Sequence, residues 1–286
     1  MRKHLETDRQ ILWVTYYRNL YNATHPSEIN SPVSLSRNLL AWNQPGTNGL
    51  ILPVNPSASF LSILFANELW FTLGDMTMAE HCAMLSMIFS PRNSGSRMIK
   101  RLAEINLVNG DDEAALKYLR ILDKTLLHKS WAEKRIPGQQ TPQVKEWLEK
   151  KRRDIPTQDQ LRSGNDAVTS LQNLVASNAG NLRAYEYLLC YHLLSKDLRS
   201  FVEDYVPGKV SSPIFAEALL IHLARQGNIR AEELIKYQIP VEIAKEFADY
   251  TRLYEAKDTS LKEKYGKTYW FYYHFATTEP GKESKP

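Results

Sequence analysis

Seven histidines and two cysteines are the side chains of this 286-residue chain best suited to metal binding or nucleophilic chemistry. No histidine pair has the HExxH spacing of a zinc-binding helix, and Cys82 and Cys190 form no CxxC motif. We therefore predict no metal site, no disulfide and no cofactor. Both thiols are expected to be free and buried, which favours a reducing compartment.

Two of the histidines occupy equivalent positions in similar segments. His192 in YHLL and His222 in IHLA each stand about one turn before the predicted end of a helix. Against a carboxylate in a pocket, either imidazole could act as a general acid or base. A histidine near a helix C-terminus is also favoured by the helix dipole alone, and we adopt that structural interpretation.

An acidic trio, Asp111 to Glu113, is the other group with a chemical interpretation. It lacks the alternating ligand spacing of a calcium loop, and acids at a helix start complement the positive end of the dipole. The sequence also contains no G-x-S-x-G, Walker or dinucleotide-binding motif. We therefore predict that the chain is not an enzyme.

Helices are predicted to position these residues, because apolar residues recur with helical period and strand-like alternation is scarce. Residues 65–93 and 101–129 superimpose with an offset of 36. Each segment predicts a helix, a tight Gly-Asp turn and a second helix. Gly74 and Gly110 are expected in the left-handed conformation that ends a helix, and the aspartate after each is expected to cap the next one. A buried alanine one turn later would let the helices approach closely.

This pattern resembles the tetratricopeptide repeat, in which Gly-Asp is followed by an alanine and then by a proline that ends the second helix. The first segment matches this pattern at Gly74, Asp75, Ala79 and Pro91. The second segment has Leu127 in place of the proline. Two later segments match the pattern weakly, with Lys196-Asp197 and Gly227-Asn228 at the position of Gly-Asp.

The predicted fold class is all-α, with tetratricopeptide-like helical hairpins forming a short α-solenoid closed by an aromatic C-terminal capping helix. Helices are predicted over 6–21, about 35–42 and about 241–254. The predicted segments are N-terminal helices with a Pro/Gly-rich loop (1–59), two hairpins (60–136), a polar connection (137–166), degenerate repeats with the capping helix (167–276) and a disordered tail (277–286).

The densest charged run, KEWLEKKRRD at 145–154, lies in the polar connection. It is interpreted either as a solvated helix face or as a contact surface. The chain is mildly basic, with a net charge of +4, and its aromatic residues are not interleaved with Lys and Arg as in stacking grooves. We therefore expect no nucleic-acid partner.

The aromatic run KYGKTYWFYYHF at 264–275 fits a stacking platform, a membrane-interface belt or the buried end of a fold. On a helical wheel, Tyr265, Tyr269 and Tyr272 share one face, with Trp270 and His274 roughly opposite. The wide aromatic face predicts a buried cap. Trp270 and His274 are predicted to remain exposed.

The chain resembles an uncharacterised bacterial domain-of-unknown-function family over most of 45–275. Four segments carry the resemblance by their order along the chain: GLILPVN, KRLAEINLVNGDDEAALKYL, RAYEYLLCYHLLSKDL and YGKTYWFYYHF. The resemblance implies membrane-spanning helices N-terminal to a helical-repeat region and brings no established activity. This chain has no apolar run long enough to cross a bilayer. We expect either a shorter member or the soluble part of a longer protein, cytoplasmic as given and tethered to the inner membrane in the longer form.

The sequence supports two hypotheses for the function. The first is a non-enzymatic module that binds a protein or peptide on its concave face. The second is an accessory domain of a multi-spanning membrane enzyme or transporter, the membrane part being a segment of the same longer protein. The candidate partner-binding residues are Asn67, Trp70, Arg101, Asn106 and Trp270.

Overall fold

The computed structural model describes residues 67, 69–89, 91–157 and 167–275. Every regular element within these ranges is a helix, which confirms the all-α class. The helices predicted over 6–21 and 35–42, the loop after them and the tail at 277–286 lie outside the described residues. The described chain falls into two compact units, residues 67–185 and 186–275.

The N-terminal unit is built around one long amphipathic helix, α2, which packs against α1, α3 and α5. Buried leucine and isoleucine side chains such as Leu102, Ile105 and Leu119 fill the core. A helical segment over 69–73 precedes the numbered elements. These are α1 (Met76–Phe89), α2 (Pro91–Asn109), α3 (Asp112–Asp123), α4 (Lys129–Glu133), α5 (Pro142–Asp154), α6 (Ala167–Ser177) and α7 (Leu182–Leu194), whose later residues belong to the second unit.

The C-terminal unit is organised around α9, which packs against α8, α11 and α13. This helix is apolar almost all round, as expected of a helix that is covered on several sides. The elements after α7 are α8 (Leu198–Asp204), α9 (Pro213–Arg225), α10 (Ala231–Lys236), α11 (Val241–Glu255), α12 (Leu261–Tyr265) and α13 (Tyr269–Phe275). The helix predicted over 241–254 is confirmed as α11.

Both predicted Gly-Asp turns have the geometry that the sequence indicates. Gly74 and Gly110 lie at φ of +91° and +81°. The N–H groups of Asp75 and Asp111 donate to the carbonyls of Trp70 and Asn106, five residues earlier, at 2.9 Å each. This is the Schellman arrangement that ends a helix. Each aspartate carboxylate then accepts an N–H three residues later and so caps the following helix.

The same turn recurs in the C-terminal unit without glycine. Lys196 has a φ of +57°, the Asp197 N–H donates to the His192 carbonyl at 2.9 Å, and the Asp197 carboxylate caps α8 through the Ser200 N–H. A left-handed conformation costs a residue with a side chain about 1–2 kcal/mol. The same hydrogen bond, from an N–H to the carbonyl five residues earlier, is donated by the residues that follow Gly227, Gln238 and Lys257, all of which have positive φ.

The small residues predicted at the hairpin contacts are buried. Ala79 and Ala115 have no exposed surface, and the Asn67 side-chain amide donates to the Ala79 carbonyl at 2.7 Å. Helix α1 is described as far as Phe89 and α2 from Pro91.

The aromatic run is buried as predicted, but it does not form one helix. It is divided between α12, which ends at Tyr265, and α13, which begins at Tyr269. The predicted exposure of Trp270 is wrong, because this side chain has no exposed surface. Helix α13 contacts both α9 and α12, and the Trp270 ring lies 5.3 Å from that of Phe247 in α11. The helix is therefore covered on more sides than the wheel assumed.

Two further expectations can be compared with the structure. Cys82 and Cys190 are free and buried, which confirms the prediction for the thiols. Among the helices of the described ranges, none is both long enough and apolar enough to cross a bilayer.

Candidate functional site

Four of the five candidate partner-binding residues lie in the interior. Asn67 and Trp270 are 0% exposed, Trp70 is 3% exposed and Asn106 is 8% exposed. The concave-face position predicted for Asn67, Trp70 and Asn106 needs exposed side chains, and these three are buried. The two asparagine amides donate to the carbonyls of Ala79 and Leu102, since a buried amide needs hydrogen-bond partners.

Arg101, in α2, is the candidate that the structure leaves half-buried. Its guanidinium carbon lies 3.7 Å from the centre of the Phe71 ring, a cation–π distance. The guanidinium also pairs with the Glu104 carboxylate at 3.0 Å, one turn along the same helix. The side chain is thereby held in one orientation.

Two cations that the sequence did not indicate lie close to Phe71 and Thr72. The Lys151 ammonium is 4.6 Å from the centre of the ring and donates to the Phe71 carbonyl at 3.4 Å. The Arg183 guanidinium donates to the Thr72 carbonyl at 3.5 Å. Both carbonyls belong to the end of the 69–73 helix, where backbone acceptors lack partners within the helix. Arg101, Lys151 and Arg183 are called the cation cluster below.

Positive charge is crowded in the cation cluster. The pKa of Lys151 is lowered to about 8, first by burial and then by the neighbouring Arg183 and Arg101, whereas Asp154 and Glu104 oppose the shift. Glu104 also acts on a further cation, Arg135, whose pKa is lowered by burial and raised by this carboxylate. Two cations and two carboxylates of the described ranges thus act on Lys151, and burial is the largest influence on its charge.

The charged run is both a solvated face and a contact surface. Lys145 and Lys150 are exposed, whereas Arg152 donates to the carbonyls of Leu107 and Val108 at 2.8 and 3.0 Å. Val144 and Leu148 form the buried face of α5. Lys151 follows them at the next position of that face, and this spacing is the signal that could have identified it.

A second polar arrangement anchors the aromatic segment to the end of α7. The hydroxyls of Tyr269 and Tyr272 donate to the carbonyls of Leu193 and Leu194, at 2.8 Å each. The Lys196 ammonium in turn donates to the Tyr273 carbonyl at 2.8 Å. Burial raises the pKa of Tyr272 to about 12, so both hydroxyls are donors at neutral pH.

Glu217 is a half-buried acid in α9, a helix made mostly of apolar residues. Its pKa is raised to about 8, mainly by burial and also by Glu246, although the N–H that Tyr269 donates to the carboxyl group opposes the shift. The Trp270 indole donates to the Glu217 carbonyl at 2.9 Å. A single acid in an apolar helix is visible in the sequence, but its partner, 52 residues away, is not.

His192 and His274 have polar partners within the C-terminal unit. The buried His192 lies 2.9 Å from the Asp204 carboxylate and connects α7 to α8. His274 is exposed, as predicted, and its Nδ1 lies 2.7 Å from the Tyr250 hydroxyl. Burial and Arg225 lower the pKa of His222. No cluster of three or more potential metal ligands occurs in the part of the chain that the structure describes.

The acidic trio serves α3, because Asp111 caps the helix and Glu113 pairs with Lys117 at 3.1 Å.

Comparisons with known proteins identify a family and no function. Neither the curated proteins nor the solved structures include a significant match to this chain. Residues 33–276 match the model of a family of unknown function, DUF6057. This match covers the helical hairpins, the cation cluster and the aromatic segment. The chain therefore belongs to the family of unknown function DUF6057.

Proposed function

We propose that the helical hairpins are tetratricopeptide-like repeats of a short α-solenoid, and that the chain is a non-enzymatic module that binds a protein or peptide partner. The observation that carries the proposal is the recurring turn at Gly74-Asp75, Gly110-Asp111 and Lys196-Asp197. In each, one aspartate closes a helix with its N–H and opens the next with its carboxylate. Helical-repeat proteins present the first helices of such hairpins to partners.

The cation cluster is the surface of the N-terminal unit that best suits such a role. Arg101 lies on the first helix of the second hairpin, beside the half-buried Trp147, whose ring is 6.3 Å from that of Phe71. Arginine and aromatic side chains are enriched among residues that dominate binding energy at protein interfaces. The contact is thus proposed to centre on Arg101 rather than on the buried asparagines.

Site-specific photo-crosslinking in cells that naturally produce the chain tests this proposal. A benzophenone amino acid replaces Trp147, next to the cation cluster, and in a matched variant it replaces Tyr237, which is also half-buried but lies in the other unit. We expect one discrete protein adduct from position 147 and none of that mass from position 237. The partner, identified by mass spectrometry, should bind the purified chain directly. Absence of an adduct at 147, or equal adducts at both positions, would contradict the proposal.

A further inference from the structure

The turn at 124–128, between α3 and α4, carries two leucines that the core of the N-terminal unit does not use. Leu126 is fully exposed and Leu127 is 90% exposed, whereas Leu122, the last apolar residue of α3, has no exposed surface. The tetratricopeptide pattern has a proline where Leu127 stands, so the repeat does not require a leucine there. Single exposed leucines are ordinary, but two adjacent ones form an apolar point on the surface. Residues 124–128 are called the leucine turn below.

The leucine turn is held in one conformation by Thr125. Its N–H and its hydroxyl donate to the Leu122 carbonyl at 2.9 and 2.7 Å, and the hydroxyl accepts from the His128 N–H at 3.2 Å. The Thr125 carbonyl accepts from the Lys129 N–H at 3.1 Å, and the His128 ring lies 3.1 Å from the Ser96 hydroxyl of α2. Because these bonds order the backbone in advance, a contact made by the two leucines loses little backbone entropy.

Positive charge surrounds the leucine turn. Residues 120–135 contain five lysine and arginine side chains and two acidic ones, whereas the net charge of the whole chain is only +4. Lys124 and Lys129 flank the leucines and are both exposed. The contact of Lys129 with Glu133, at 3.9 Å between exposed side chains, is a weak one. A second copy of the chain would bring like charges together here, whereas an anionic surface complements them.

The shape of the leucine turn also limits what it can contact. Because both leucines are almost completely exposed, they protrude from the surface and line no groove. A protruding apolar point beside cations matches the interface of an anionic bilayer, where apolar side chains enter the acyl boundary and lysines lie among the headgroups. A protein partner would need a pocket of matching shape with an acidic rim.

We propose that the leucine turn inserts Leu126 and Leu127 into the surface of an anionic lipid bilayer, with Lys124 and Lys129 on the lipid headgroups. This inference goes beyond the proposed binding of a protein or peptide partner and does not depend on it. The leucine turn and the cation cluster have no residue in common.

Co-sedimentation of the full chain with phosphatidylcholine vesicles, with and without phosphatidylserine, tests the proposal. Binding should require phosphatidylserine. Leu126→Ser and Leu127→Ser should each weaken it about 10-fold, because an apolar side chain no longer leaves water. Lys124→Gln and Lys129→Gln should each weaken it about 5-fold, as expected for one cation near an anionic surface.

Matched control variants lie in the C-terminal unit. Ile235 is 77% exposed and Lys245 is also exposed, so Ile235→Ser and Lys245→Gln remove the same kinds of group from another surface. Each should change vesicle binding by less than about 2-fold. All these side chains are exposed, so every variant should keep the denaturation midpoint of the wild-type chain.

A fluorescent probe reports whether the leucine turn itself enters the bilayer. Cys82 and Cys190 are buried, so the environment-sensitive dye NBD, coupled through a maleimide, labels a cysteine introduced by Leu127→Cys. Its emission should shift to the blue on addition of phosphatidylserine vesicles. The same dye on Ile235→Cys should show no shift.

The outcomes distinguish this inference from the proposed function. Absence of binding to phosphatidylserine vesicles, equal losses in Leu127→Ser and Ile235→Ser, or an unshifted probe at position 127 would overturn the inference. A probe at position 127 that responds to the crosslinked protein partner and not to vesicles would assign the leucine turn to protein binding and leave the proposed function standing. Insertion into vesicles without any crosslinked partner would support the inference and contradict the proposed function.

Discussion

Tyrosine side chains have two roles in the C-terminal unit. Their rings are buried in the core, and their hydroxyls donate hydrogen bonds to carbonyls at the end of a helix. The last carbonyls of an α-helix have no N–H partner within the helix. Tyr269 and Tyr272 satisfy two of these at the end of α7 while their rings pack 5.8 Å apart. This dual use explains why the aromatic run is rich in tyrosine rather than in phenylalanine alone.

Tyr269→Phe should therefore destabilise the protein although the ring is kept. Loss of the hydroxyl leaves the buried Leu193 carbonyl without this donor, which costs about 1–2 kcal/mol of unfolding free energy. Chemical denaturation measures the loss. Tyr254→Phe serves as the control, because Tyr254 is 40% exposed, and it should change stability by less than about 0.5 kcal/mol.

Tyr269→Ala should cost more than Tyr269→Phe, because it also removes a fully buried ring. We expect a loss of about 3–5 kcal/mol and a melting temperature lower by several degrees. Unchanged stability together with loss of a partner's binding would show that the ring serves recognition instead of the core.

Among the helices, the two glycine turns look alike in sequence but differ in their surroundings. Both glycines have positive φ. A side chain added at Gly74 would place its Cβ 2.2 Å from the Asp154 carbonyl oxygen, whereas at Gly110 it would meet open space. That oxygen is itself held by the Asn181 amide, which also donates to the Leu73 carbonyl. The N-terminal unit thus uses the Gly74 turn as a docking point for the end of α5.

Alanine substitution should separate these two roles of glycine. Gly110→Ala should cost about 1–2 kcal/mol, the strain of a left-handed residue with a side chain. Gly74→Ala should cost about 2–4 kcal/mol, because the clash with Asp154 adds to the same strain. Equal losses in chemical denaturation would mean that the end of α5 can move aside freely.

Local chemistry made the hairpin turns predictable from sequence. A glycine that ends a helix and an aspartate that caps the next one act within a few residues, so the pattern at Gly110-Asp111 sufficed. The break between α12 and α13 was not predicted, because the helical wheel assumed that the aromatic residues continue one helix through Gly266. The burial of Trp270 depends on contacts with α9 and α11, and no local pattern contains them.

The candidate site was less predictable than the fold for the same reason. Arg101 was identified from its place in a repeat, whereas Lys151 reaches Phe71 across 80 residues of sequence and Arg183 reaches Thr72 across 111. Asparagines 67 and 106 have the polarity of groove residues, but their amides satisfy backbone carbonyls inside the unit. Polarity alone does not distinguish an asparagine that contacts a partner in a groove from one that satisfies a buried carbonyl.

Within the described residues, Lys151 in the N-terminal unit and Glu217 in the C-terminal unit are half-buried ionisable groups whose pKa values are both about 8. Glu217 is neutral below that pH and Lys151 is charged below it. Each group is held in an environment that disfavours its charged form. The stability of the protein should therefore respond to pH in opposite directions on the two sides of about pH 8.

Glu217 should make the protein less stable as pH rises from about 4.5 to about 8. In that window the carboxyl of the unfolded chain ionises while the folded group keeps its proton, so the unfolded state gains. Glu217→Gln keeps an acceptor for the Tyr269 N–H and removes the titration. Its unfolding free energy relative to wild type should therefore rise across this window, as measured by denaturation at a series of pH values.

Lys151 should make the protein more stable as pH rises from about 8 to about 10.5. The folded amine loses its proton at the lower value and the unfolded one at its ordinary pKa of 10.5, so the penalty for a buried cation disappears in between. Lys151→Gln should lack this gain, whereas Lys150→Gln should retain it. Parallel pH profiles for Lys151→Gln and wild type would show that solvent reaches the amine freely.

The shared aspartate of the hairpin turns sets a rule for how this family can vary in length. The Asp111 N–H donates to the last turn of α2, and its carboxylate caps the first turn of α3. A residue inserted after Gly110 would move this aspartate away from one of the two helices, so one of the two hydrogen bonds would be lost. The same holds at 74–75 and 196–197. Insertions and deletions among relatives should thus be absent from these three junctions and concentrate in connections such as 205–212. Alignments of the family can use the junctions as fixed anchor columns in which no gap is opened.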